Sequence, residues 1–176
     1  MPFLASLAED LSQPEYVHVL LNPLPVYGLA VGILGLVVAL IVFRGSRAAR
    51  LTALILIAIC AGSIWPVAHY GGGGYDRVLS MADSAGAAWL KAHARRADQV
   101  IPFYYALTGL AVLAIFVPFK RPKSALLLAW LTFVLAVGTL GAGAWVAYAG
   151  GKIRHTEFRN ELPPSLPPEA PDDNGS

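Results

Sequence analysis

Four histidines, His18, His69, His93 and His155, are the residues of this chain best suited to chemistry. Neutral imidazole is the commonest protein ligand for transition metals and an axial ligand of haem iron. Each histidine lies close to the end of a different apolar stretch, and none falls in the first 17 or the last 21 residues. Two imidazoles from different helices, one on each side of a porphyrin, are chemistry that a helical bundle supplies without any loop. With the helices ordered one to four around a bundle, the diagonal pairs are His69 with His155 and His18 with His93. Three or four histidines converging would instead suit copper or zinc, with Glu157 behind them. A plainer role competes with both: interfacial rings that only mark the headgroup level of a membrane.

Other chemistries find no residues. Cys60 is the one cysteine, set in an apolar run, so it has neither an internal disulfide partner nor a CxxC mate. No P-loop, nucleophile elbow or HExxH motif is present. The formal charge of +2, without a basic run interleaved with aromatics, excludes nucleic acid as a partner. These absences favour an electron-transfer or accessory subunit over a stand-alone enzyme.

The elements that must position the histidines are membrane helices. Of the 176 residues, 56% are hydrophobic and 14% charged, against roughly 25% charged in soluble domains. A bilayer crossing takes about 20 mostly apolar residues, and four segments qualify: 24–43, 51–69, 100–119 and 125–151, none of which contains a charge. The last is longer than a crossing needs and must tilt or project. The absence of acids or bases inside the spans argues against a proton pump or ion-coupled carrier.

Direction follows from charge. The links "RGSRAAR" and "KRPKS" each hold three Lys or Arg and no acid, while all eleven acids lie on the other side. Short basic links are cytoplasmic, which places both termini and the 70–99 connection on the periplasmic side of a bacterial inner membrane. Since the spans alternate, all four histidines share that face. The expected fold is all-α, an integral membrane four-helix bundle with antiparallel neighbours in residues 18–159.

The flanks read as short interfacial helices and a tail. Residues 1–17 carry acids where a signal peptide would be basic, so they read as uncleaved. Phe3, Leu4, Leu7 and Leu11 could lie along one side of an interfacial helix. "GGGG" at 71–74 reads as a flexible joint, and Val78, Ala82, Ala85, Trp89 and Ala92 have the spacing of a helix lying on the outer interface. The segment 160–176, rich in proline and acids, is expected to be a disordered tail.

Small residues lie in register with the histidines. Behind His155 come Gly151, Ala147, Ala144 and Gly141; below His69 come Gly62 and Ala58; Gly28, Gly32 and Gly35 align loosely with His18. Such stripes let membrane helices approach closely, and they also leave room for a flat cofactor. The two halves show no similarity strong enough to count as a repeat. Pro23, Pro25 and Pro66 bend the chain near the histidine level.

The stretch "HVLLNPLPVYGL", residues 18–29, resembles the opening "HPLLVHFPIAL" of a family of small bacterial four-helix membrane proteins of unknown function. His18, the leucine pair and Pro25 match, as do a histidine before the third span, His93, and a Gly-Gly closing the fourth, Gly150-Gly151. The likeness covers about residues 16–155; the family's second opening histidine falls on Pro23. It implies four helices in a layout similar to b-type cytochromes, and a haem or electron-transfer role. The combined expectation is haem b held by histidines from His18, His69, His93 and His155, with a periplasmic cytochrome or another membrane subunit as partner within the lipid bilayer. Two alternatives stand beside it: a cofactor-free anchor or assembly subunit, and a copper or zinc site with His69 and His155 among its ligands.

Overall fold

The computed structural model describes residues 2–163 and 165, and among them every regular element is helical. Helix α1 spans Pro2–Leu11, followed by α2, Pro14–Leu21. Pro14 suits the first helical turn, where its missing N–H would have no partner. One π-turn, Leu24–Gly28, then leads into α3, Leu29–Ile41. Pro25 cannot donate to the helical ladder, and the widened turn accommodates that gap. Ser46 caps α4, Arg47–Gly62, its Oγ accepting from the Ala49 N–H at 3.2 Å. A break at Ser63 separates α4 from α5, Ile64–Gly73, because Pro66 leaves the Gly62 carbonyl without its helical donor.

Helix α6 is a short piece, Tyr75–Ser80. Asp83 then caps α7, Ser84–Lys120, accepting from the Gly86 N–H at 2.8 Å. A 3-10 turn, Pro122–Ser124, reverses the chain into α8, Ala125–Arg154, and a second one covers Thr156–Phe158. Four helical segments are long and apolar enough to cross a membrane: Pro14–Ile41, Arg47–Gly73, Ser84–Lys120 and Pro122–Arg154.

These rods run further than hydropathy alone indicates. His18 and His93 lie inside helices rather than ahead of them, and α5 continues through His69 to Gly73, so three of the four glycines at 71–74 are helical. The interfacial helix expected across 78–92 is broken at Met81–Asp83, and from Ser84 onward it is continuous with the third span. At about 1.5 Å per residue, the 37 residues of α7 reach well past a hydrocarbon core of about 30 Å. The proline-rich tail expected over 160–176 lies mostly outside the described residues.

The bundle is tight at one end and split at the other. Toward the basic links, α3, α4, α7 and α8 close around Leu36, Leu54, Ile57, Leu107, Ala111 and Ala136, all fully buried. Gly32 allows α3 and α4 to touch, since a Cβ there would lie 2.8 Å from Ile57. Facing outward, Leu34, Phe116, Leu127 and Val134 are each more than half exposed. Toward the histidine end the helices form two layers, α2 on α5 and α7 on α8, with little contact between them. The π-turn, the Ser63–Pro66 break and Pro102 within α7 interrupt the ladder on three of the rods.

Candidate functional site

Between the two layers lies a cavity of about 680 Å³, to which α2, α5, α7 and α8 all contribute. Its deep part is apolar, formed by Val67, Val100, Ile101 and Val146. Tyr104 closes the floor: its hydroxyl donates to the Pro25 carbonyl in the π-turn at 3.0 Å, and its ring is buried. Gly143 makes this seat possible, because a Cβ there would collide with the Tyr104 hydroxyl.

His18 and His93 enter the cavity from opposite layers. Their ring centres are 6.5 Å apart and their planes nearly perpendicular, at 88°. His18 Nδ1 lies 2.8 Å from the Val67 carbonyl on α5, and His93 Nδ1 lies 3.0 Å from the Val146 carbonyl on α8. A carbonyl only accepts, so in each ring Nδ1 carries the proton and Nε2 keeps its lone pair. Each ring also rests on a glycine one turn beyond its carbonyl. A Cβ on Gly71 would come 2.8 Å from His18 Nδ1, and one on Gly150 would come 3.1 Å from His93.

The two halves of the site are therefore built alike. An imidazole on one helix binds a valine carbonyl on the next, with a glycine four residues further on. The local sequences are "VAHYG", residues 67–71, and "VAYAG", residues 146–150. This five-residue echo, too short to register as a repeat of whole halves, marks the two segments that support the rings. It also accounts for Gly150: the glycine gives room to the His93 ring rather than to His155.

The other two histidines stand apart from the cavity lining. His69 is exposed and stacks on Trp65, with ring centres 5.7 Å apart and planes 9° apart. His155 follows the last residue of α8, is exposed, and pairs through Nδ1 with Glu157 Oε1 at 2.9 Å. The arrangement joins the diagonal pair His18–His93, while His69 and His155 each engage neighbours of their own. Among the described residues no three His, Cys, Asp or Glu side chains converge as a metal centre built wholly from protein would require. Gly28 and Gly32 serve helix contact, against Cys60 and Ile57 respectively.

A clasp holds the α7–α8 layer shut beyond the cavity. The Arg159 guanidinium donates to the Lys152 and Ile153 carbonyls, each at 2.7 Å, capping α8, and to Asp83 Oδ2 at 2.7 Å. Asp83 is held below the usual carboxylate range chiefly by that hydrogen bond and next by the Gly86 N–H. Lys152, buried to 2% exposure, sits over Trp89 and Tyr148 and binds Glu161 at 2.6 Å. Glu161 is correspondingly held below the ordinary glutamate range, mainly by Lys152.

Comparison with protein-family models, with characterised proteins and with solved structures gives no match, so any function assigned to this chain stands on the geometry of its own residues.

Proposed function

We propose that this chain is a membrane-embedded b-type haem protein that passes electrons at the histidine end of the bundle, with His18 and His93 as the residues that would hold the haem. The observation that carries this reading is the imidazole pair from opposite layers, 6.5 Å between centres, each with Nδ1 committed to a carbonyl. A ligating nitrogen sits about 2 Å from a first-row metal and roughly 1 Å from its own ring centre, so two rings on opposite sides of one ion have centres about 6 Å apart. Protein-built zinc and copper sites need three or four ligands, whereas a haem iron already brings four donors and asks the protein for two. The cavity volume of about 680 Å³ falls within the range of about 300–1,000 Å³ typical of cofactor pockets.

The residues of the chain perform defined tasks in this reading. The Val67 and Val146 carbonyls fix the tautomer and aim of each ring and make Nε2 a better donor, as carbonyl partners do for ligating histidines. Gly71 and Gly150 set how closely each ring lies against its supporting helix. The apolar floor and the buried Tyr104 keep water from the inner side. A haem held by His18 and His93 would supply one-electron chemistry, which suits electron transfer rather than catalysis on a substrate. The basic links support an orientation with the histidine end on the periplasmic side of a bacterial inner membrane, and in this reading a redox partner is reached from that face.

A reduced-minus-oxidised absorption spectrum of the purified protein tests this. A Soret band that sharpens on reduction, with resolved alpha and beta bands, is expected, as is its loss in His18→Ala and in His93→Ala. His69→Ala and His155→Ala are expected to keep the spectrum. A colourless preparation would leave the cofactor-free anchor subunit as the better account, and full haem retention in both His18 and His93 variants would overturn the ligand assignment.

A further inference from the structure

The polar groups around the cavity are placed unevenly about the imidazole layer. Five charged side chains line it: Asp10, Glu15, Arg77, Asp98 and Arg154. Arg77 is spoken for, bonded to Glu15 Oε1 at 2.9 Å and to the Gln13 side-chain carbonyl. Arg154 has no carboxylate partner among the described residues; its guanidinium reaches only the Met81 sulfur, at 3.6 Å. Arg154 lies four residues beyond Gly150, the glycine under His93, which is about 6 Å further along α8 at the rise of an α-helix. Asp98 lies five residues past His93 in the direction in which α7 runs toward the basic links. Of these five, the cation without a carboxylate partner therefore stands at the mouth, together with Asp10 and the Glu15–Arg77 pair, on the far side of the rings from Asp98 and from the apolar floor.

We infer that Arg154 is the receptor for a carboxylate of the bound porphyrin, and so fixes which edge of the ring points out of the cavity. This rests on the haem reading above and adds an orientation to it. A porphyrin carrying two acid groups on one edge would meet Val67, Val100 and Tyr104 if inserted acids first, and the carboxylate of Asp98 would repel it. Inserted the other way, its acids reach the open end, where Arg154 offers a planar fork of N–H donors suited to a carboxylate. Arg77, already neutralised by Glu15, contributes less.

The test is titration of the purified full-length apoprotein with ferric protoporphyrin IX and, separately, with its dimethyl ester, followed by the Soret band. Arg154→Gln is expected to weaken binding of the free acid about three- to tenfold and to leave the ester unchanged, with Arg154→Lys in between. Equal weakening of both porphyrins, or of neither, overturns the role of Arg154 while leaving the His18–His93 pair intact. Failure of the unsubstituted protein to take up either porphyrin overturns the haem reading and this inference together.

Discussion

At the scale of single residues, the site depends on what is absent as much as on what is present. Gly71 and Gly150 have no side chain because the imidazoles of His18 and His93 occupy that space. A methyl group at either position must push a ring away from its carbonyl, and forced fits of this kind cost about 1–3 kcal/mol. Gly71→Ala, with the closer approach of 2.8 Å against 3.1 Å, is expected to reduce haem retention more than Gly150→Ala. Comparing haem-to-protein ratios of the two purified variants, with circular dichroism showing that the helices survive, measures this. Equal haem content in both variants and the parent would mean that the glycines serve helix packing alone.

At the scale of elements, the α7–α8 layer is clasped by a charged group whose state depends on pH. The Asp83 carboxylate is held below its ordinary range by Arg159, so it binds a proton less readily in the folded chain than in the unfolded one. Its contribution is fully present above the ordinary Asp range, near pH 4, and is lost as pH falls through the lower folded value. Acidification is therefore expected to release Arg159 and fray the start of α7 before the buried core responds. Hydrogen exchange at Gly86 and its neighbours, followed from pH 6 downward, reads this out. Asp83→Asn retains a capping side chain but loses the charge, and should flatten the pH dependence.

The elements also show how far the sequence could be read. Four apolar runs and their basic links were legible, because a run of about 20 uncharged residues has few other uses. Helix ends were not. Hydropathy reports the thickness of a bilayer, and α2, α5 and α7 continue past it on Pro14–Leu21, Gly71–Gly73 and Ser84–Gln99. The glycines at 71–74 looked like a joint, yet 71–73 are helical, on the segment of α5 against which α2 packs. That the histidines share one end followed from counting spans. Helix order left two diagonal pairs, His18 with His93 and His69 with His155; which of them meets depends on helix rotation, which hydropathy does not report.

At the scale of the whole molecule, the direction of insertion is open to a direct check. With Cys60 replaced by Ser, a single cysteine at Gly45 is expected to react with an impermeant thiol reagent only from the cytoplasmic side, and one at Thr156 only from the opposite side. Reaction of the Thr156 variant from the cytoplasm would reverse the orientation drawn from the basic links.

Because His18 rests on α5 while His93 rests on α8, neither imidazole belongs to the hairpin that holds its counterpart. The first ring can find its supporting carbonyl once Val67 of α5 has been made, whereas the second must wait for Val146 of α8. If the proposed haem is held by this pair, it can be gripped from both sides only after both hairpins exist.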